Sequence, residues 1–184
     1  MKACISQACV LNSNFSDDVT AFFKGGCSSM EVWLTKLEKH LETNSVAETK
    51  GFISDHNMTL AAGSYQGGLF LSSGEQKKSH YDHFKRRLDL CQGLGIPMMN
   101  ICSDFPARVD QQILQKALAG LREAAQWAEA FNTKLSFEFR ASSSFANNLE
   151  SAHAFVSASG MDNVGLTLDT FHFHCGPSKL ADIA

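Results

Sequence analysis

Nowhere in this chain do about 18 apolar residues run together, so no membrane-spanning helix is expected. Its opening, Met1 to Val10, turns polar too soon for a secretory signal, which points to a soluble, cytoplasmic protein. The only concentrated basic segment is Lys85-Arg86-Arg87, on a helical pattern, and the formal net charge is -3. Nucleic acid and anionic membranes are therefore poor partners. A glycine-rich dinucleotide fingerprint and a P-loop are both missing, as is any Gly-x-Ser-x-Gly elbow, so neither a Rossmann-type cofactor site nor a serine hydrolase has support. Six cysteines (Cys4, Cys9, Cys27, Cys91, Cys102, Cys175) lack CxxC spacing, and several lie in apolar runs where Cys behaves as a small hydrophobe. They read as reduced, buried thiols. Cys4 and Cys9 have no basic neighbour to lower a thiol pKa and are expected to pack in the core.

What the chain has is enough apolar substance for a core, 44% of 184 residues, in a regular alternation of short β-like runs and helical patterns. Strands are predicted over 3–8, 30–34, 59–65, 96–102, 134–139 and 164–169. Between them fall helices over 17–24, 36–42, from a capping box at Ser45-Val-Ala-Glu48, over 75–94 with Phe84, Leu88 and Cys91 on one face, from Asp110, and from Asn147. Six strands with about five and a half βα units fit either a (β/α)8 barrel, which typically needs about 250 residues, or an open doubly wound sheet. Residues 176–184 look like the loop after strand six and the first turn of another helix. One domain over 1–184, incomplete at its C-terminal end, is the expectation.

The chemistry concentrates between Leu135 and His174. Alternation puts Leu135, Phe137 and Phe139 on one face of strand five and Ser136 with Glu138 on the other; strand six divides into Val164, Leu166, Leu168 against Gly165, Thr167, Asp169. Glu138 and Asp169 thus end adjacent strands on the face where barrels place their active sites. Such oxygen ligands suit Mg²⁺ or Mn²⁺, and with imidazole added, Co²⁺, Zn²⁺ or Fe²⁺. The competing reading pairs Glu138 with Arg140 or Lys134 and makes Asp169 a cap for the following loop. His172 and His174 could chelate from an extended segment, with His172 favoured as a substrate-contacting group. Glu31 and Trp33 share a face of strand two, where an inward glutamate needs a partner. Tyr65 and Gln66 end strand three at the same mouth and could line a sugar-sized pocket, with Phe70 and Leu71 beyond as a lid.

Three segments carry a resemblance: 136–140 (SFEFR), 163–174 (NVGLTLDTFHFH) and 26–34 (GCSSMEVWL). Together they resemble the sugar phosphate isomerase/epimerase family, the xylose isomerase-like TIM barrels, over essentially the whole chain. The resemblance implies a truncated (β/α)8 barrel and one divalent metal (Mn²⁺, Mg²⁺, Co²⁺ or Zn²⁺) held by a glutamate, an aspartate, a histidine and a second glutamate from successive strand ends. Glu138 matches the first ligand and Asp169 the second, while His172 matches a substrate-contacting histidine. It further implies that a carboxylate pair moves a proton through an enediolate of a small sugar or hydroxy-keto acid. The third and fourth ligands belong to strands seven and eight, so the 184 residues alone are expected to be inactive. Unpaired sheet edges make a homo-oligomer possible. Alternatives are an inosose dehydratase-like lyase and a non-catalytic remnant of the same barrel; an endonuclease IV-like phosphodiesterase would want more strand-end histidines and a basic face.

Overall fold

A computed structural model describes residues 2–103, 105 and 108–183. Side-chain alternation decides its architecture. Along β4 (Met98–Cys102), β5 (Lys134–Glu138) and β6 (Val164–Thr167), the apolar residues Met99, Ile101, Leu135, Phe137, Val164 and Leu166 share one face. Asn100, Cys102, Ser136, Glu138, Gly165 and Thr167 share the other. The register aligns these into rows, with Ile101 opposite Phe137 and Phe137 opposite Leu166, then Cys102 opposite Glu138 and Glu138 opposite Thr167. A slip of one residue would bury Glu138 among the helices and expose Phe137, so the pattern fixes the pairing.

β1 (Ile5–Ser6), β2 (Ser29–Trp33) and β3 (Thr59–Gln66) complete a six-stranded sheet, parallel throughout, whose strand order follows the sequence. A doubly wound sheet reverses its order at a switch point; this one never does, which rules out that alternative. Right-handed crossovers in an unreversed sheet place every helix on one side and leave the other as the concave interior of a barrel-type fold. The crossovers are α1 (Phe15–Lys24), α2 (Leu34–His40) with α3 (Val46–Asp55), α4 (Gly74–Leu94), α5 (Gln111–Ala130) and α6 (Leu149–Ser159). Their ends follow capping chemistry: Ser45 and Glu48 form the expected capping box on α3, Asp110 caps α5, and Gly95 closes α4 in the left-handed region at φ 72°.

The core lies between sheet and helices. Phe70, Phe105, Phe137 and Phe155 form an aromatic cluster with neighbouring centroids 5.3 to 6.1 Å apart. Phe70 is therefore no lid. Tyr81 Oη donates to the carbonyls of Leu69 and Gly120, and a Cβ on Gly120 would meet Leu69 O at 2.7 Å and Phe70 Cα at 2.9 Å. Only glycine lets α5 approach this closely, and that contact holds the loop down.

Other expectations shift for local reasons. Strand one is two residues long because the Gln7 side chain takes over from the backbone ladder: Oε1 accepts from Trp33 N at 3.0 Å and Nε2 donates to Asp18 at 2.7 Å. The cap of α6 is Asn148, one residue beyond Asn147. All six cysteines are free thiols, yet Cys4, Cys9 and Cys175 are exposed rather than core. Cys4 precedes the short β1, and Cys9 lies in the 3-10 turn Gln7–Val10, outside the sheet's apolar face. β1 and β6 are the outer strands, and beside β6 stand the exposed Leu168, Phe171, Leu180 and Ile183. Among the described residues no helix is long and apolar enough to cross a membrane.

Candidate metal and proton-transfer site

The polar face of the sheet ends in a cavity of about 390 Å³ to which all six strands or their C-terminal ends contribute, including Ser6, Glu31, Ser64, Asn100, Glu138 and Thr167. Trp33, Tyr65, Arg140 and Asp169 line it too, so three of the candidate site residues besides Glu138 and Asp169 lie against it directly. Glu31, Trp33 and Tyr65 are in the wall; His172 stands at the rim, outside the lining. A larger cavity of about 880 Å³ on the other side of Trp33 is lined by the β1–α1 loop and α2. The metal-ligand cluster is not there.

Glu138 sits at the last position of β5, half-buried, and accepts a hydrogen bond from Asn100 Nδ2 at 2.7 Å. Asn100 is in turn held by Thr167 Oγ1 at 3.2 Å. Neither Arg140 nor Lys134 pairs with Glu138, so the ion-pair reading fails. Asp169, just past β6, fulfils the capping reading and also stands beside Glu138: its Oδ1 accepts from the N–H groups of Phe171 at 2.7 Å and His172 at 3.2 Å, and a carboxylate oxygen lies within 4.8 Å of Glu138. That cap turns the chain at once into α7 (Thr170–Cys175), so the extended two-histidine chelate does not form. His172 comes back toward the site while His174 takes no part in the cluster.

Glu138, Asp169 and His172 each present a ligand atom within 4.8 Å of the others. Burial and the adjacent Asp169 carboxylate push Glu138 above the ordinary glutamate range. Burial alone would raise Asp169 as well, but the N–H groups of His172 and Phe171 and the hydrogen bond from Glu138 outweigh it and hold Asp169 below its usual value. The two neighbouring carboxyls are thus driven in opposite directions, as like charges in one site are, and a bound divalent cation would remove the repulsion. His172 Nδ1 accepts a long hydrogen bond from Ala141 N, 3.5 Å, which leaves Nε2 as the ring nitrogen open to a ligand.

Three contributors escaped the sequence reading. Asn100 orients Glu138, and its inward placement two residues before Cys102 was available from β4's alternation. Arg140 lies two residues beyond Glu138, hence on the same face by the period of a strand, and reaches over the Tyr65 ring at 5.4 Å. Arg87, on the α4 face directed at the sheet, donates through Nη1 to the Tyr65 carbonyl at 2.8 Å. Gln66, expected at the mouth, turns instead to Arg87, 3.3 Å from Nη1.

A family model described as xylose isomerase-like TIM barrel matches residues 23–183. The chain is 27% identical over 190 residues to an inosose isomerase of Bacillus velezensis, covering 100% of this chain and 67% of that protein. Its fold matches the crystal structure of the IOLI protein with a binding zinc atom at a TM-score of 0.90 and 25% identity, over 100% of this chain and 68% of the other. A D-psicose 3-epimerase solved in the presence of D-fructose shares the fold at a TM-score of 0.75 and 22% identity, over 94% of this chain and 64% of its own. The chain thus spans about two thirds of the length of these proteins.

Proposed function

The chain belongs to the xylose isomerase-like TIM-barrel family, and from that premise we propose that its cavity serves a divalent-metal-dependent isomerase or epimerase acting on a small polyhydroxy ketone or hydroxy-keto acid. The observation that carries this reading is the cluster of Glu138, Asp169 and His172 within 4.8 Å of one another, two of which line the cavity. Inosose, which names the B. velezensis relative's activity, is the first substrate to test.

Glu138 and Asp169 are the residues that would hold the metal, which when bound supplies Lewis-acid polarisation of the substrate carbonyl and lowers the cost of losing an adjacent C–H proton. Zinc is a reasonable first ion, since the IOLI protein was solved with a zinc atom, with Mn²⁺, Mg²⁺ and Co²⁺ as alternatives that carboxylate ligands also accept. Glu138 takes up and returns the proton, a role suited by a carboxyl held above the ordinary glutamate range. Asn100 fixes one Glu138 oxygen so that the other faces the cavity. His172 donates through Nε2 to a substrate oxygen as charge develops there. Glu31, which makes no hydrogen bond among the described residues, accepts from substrate hydroxyls, and the edge-to-face pair of Trp33 and Tyr65, centroids 5.4 Å apart, gives the apolar wall on which a sugar ring packs.

Two carboxylates, one of them also required as base, make a sparse ligand set. These 184 residues on their own are proposed to bind metal without turning substrate over. Calorimetry with Zn²⁺ and Mn²⁺ tests the site: binding that disappears in the Glu138→Ala, Asp169→Ala double variant supports it, and no binding by the folded wild-type chain overturns it. Inosose turnover by the unsupplemented chain would contradict the inactivity.

A further inference from the structure

The cavity that holds the metal-ligand cluster also contains a guanidinium that the fold leaves unused. Arg140 is half-buried in the wall and shares the cavity with three carboxylates, Glu31, Glu138 and Asp169. It pairs with none of them. Among the described residues its guanidinium forms no hydrogen bond or ion pair; it lies over the Tyr65 ring, 5.4 Å from the centroid. The backbone holds it in this position: Arg140 N donates to Ser103 Oγ at 3.2 Å, which anchors the residue past the end of β5, while Asn100 and Asp169 occupy Glu138.

A partly desolvated guanidinium without an acceptor is a costly feature that a bound group repays. A ligand group that satisfies a planar fork of N–H donors is an acceptor with two coplanar oxygens, a carboxylate. We infer that Arg140, backed by the Tyr65 ring, is a carboxylate-binding subsite, so that the substrate of this cavity is a hydroxy-keto acid rather than a neutral ketose. The inference rests on the cavity being the substrate site proposed above. The acid would lie with its carboxylate on Arg140 and its hydroxy-ketone toward Glu138, Asp169 and His172. Cation–π contact with Tyr65 keeps the guanidinium out of reach of the protein's own acids and presents its edge to the ligand.

Gluconate and glucitol make a matched pair of probes, alike except that a carboxylate in one is a hydroxymethyl in the other. Each is titrated by calorimetry into the 184-residue chain, metal-free and Mn²⁺-loaded, and into Arg140→Gln and Arg140→Lys. The expected result is a preference for gluconate of about tenfold or more, the usual yield of a charge-assisted hydrogen bond, abolished in R140Q and partly kept in R140K. Near-ultraviolet circular dichroism should show both variants folded, since the guanidinium ties down no element. Equal affinities, no gluconate binding, or a preference that survives in R140Q would each overturn the subsite. Failure of the metal reading looks different: Mn²⁺ binding would be lacking while an Arg140-dependent preference persisted, and that outcome supports the subsite alone.

Discussion

Two arginines meet the same tyrosine from opposite sides, and the fold treats them oppositely. Behind β3, Arg87 is saturated: Nε and Nη2 grip the two oxygens of Glu38 at 2.7 and 2.9 Å, Nη2 reaches Thr35 at 3.3 Å, and Nη1 donates to the Tyr65 carbonyl and Gln66. His83 Nε2 adds a further bond to Glu38 at 2.7 Å. Arg140, in the cavity wall, finds among the described residues only the Tyr65 ring for its guanidinium. A guanidinium whose donors all find protein acceptors is a brace, here joining α2, α4 and the end of β3. One whose donors find none is available for a ligand. The site accordingly has one wall that is finished without substrate and one that is not.

Replacing each arginine in turn is the strongest way to break that comparison. Arg87→Met should cost about 3 kcal/mol, the low end for severing a buried charge pair, because Glu38 is left with His83 alone although its side chain is 28% exposed. Arg140→Met should stay within about 0.5 kcal/mol. Urea denaturation of both would show it, and equal losses would mean that Arg140 is structural after all. The brace also has a pH signature. Glu38 is held below its ordinary value of 4.5 because the Arg87 and His83 hydrogen bonds and charges outweigh the burial that would raise it. Its contribution is complete above the unfolded carboxyl pKa and disappears as pH falls through the lower folded one. The wild-type chain should lose more stability over that acid range than Arg87→Met does.

On the unfinished wall, Glu138→Gln separates stability from function. Metal affinity should fall by about 100-fold or more, since even outer-shell partners are worth 10–100-fold, while the metal-free fold should change by less than about 1 kcal/mol, because an amide keeps the shape of a carboxyl that Asp169 already disfavours as an anion. Because burial and Asp169 raise Glu138, a metal must displace its proton. Affinity should therefore rise with pH until Glu138 ionises unaided, and binding below that point should release close to one proton per ion. Calorimetry in two buffers of different ionisation enthalpy counts that proton directly; no release would place Glu138 outside the ligand set.

How much of this could be read from the chain follows the strength of each local signal. β5 and β6 were legible because every second residue is apolar, which assigned Glu138 and the residues around Asp169 to the correct face before any partner was known. β1 was not, because no pattern announces that the Gln7 side chain will take the ladder's place at Trp33 N. The histidine pair misled for a related reason: Phe171 and Phe173 alternate with His172 and His174 as in a strand, yet Asp169 captures two N–H groups and starts a helix. Phe70 followed a glycine pair and suggested a mobile lid, whereas Gly120, fifty residues later, supplies the flat surface on which it packs. Arg140 was visible by alternation from Glu138 but invisible in significance, since only the three-dimensional neighbourhood shows that its charge is unspent.

Asp169 contains the two-arginine contrast within one side chain, and that gives the smallest but most discriminating test. One oxygen is committed to structure, accepting from the Phe171 and His172 N–H groups; the same carboxylate bears the charge offered to a cation beside Glu138. Asn caps a helix about as well as Asp, so Asp169→Asn should leave α7 and the His172 position intact and cost under about 0.5 kcal/mol, while removing the charge that metal needs. Asp169→Ala removes both and should cost about 1 kcal/mol more. Metal calorimetry should therefore score the two variants alike, and denaturation should tell them apart. If D169N bound metal as wild type does, the carboxylate would be a cap and no ligand, and Glu138 would stand alone in the cavity.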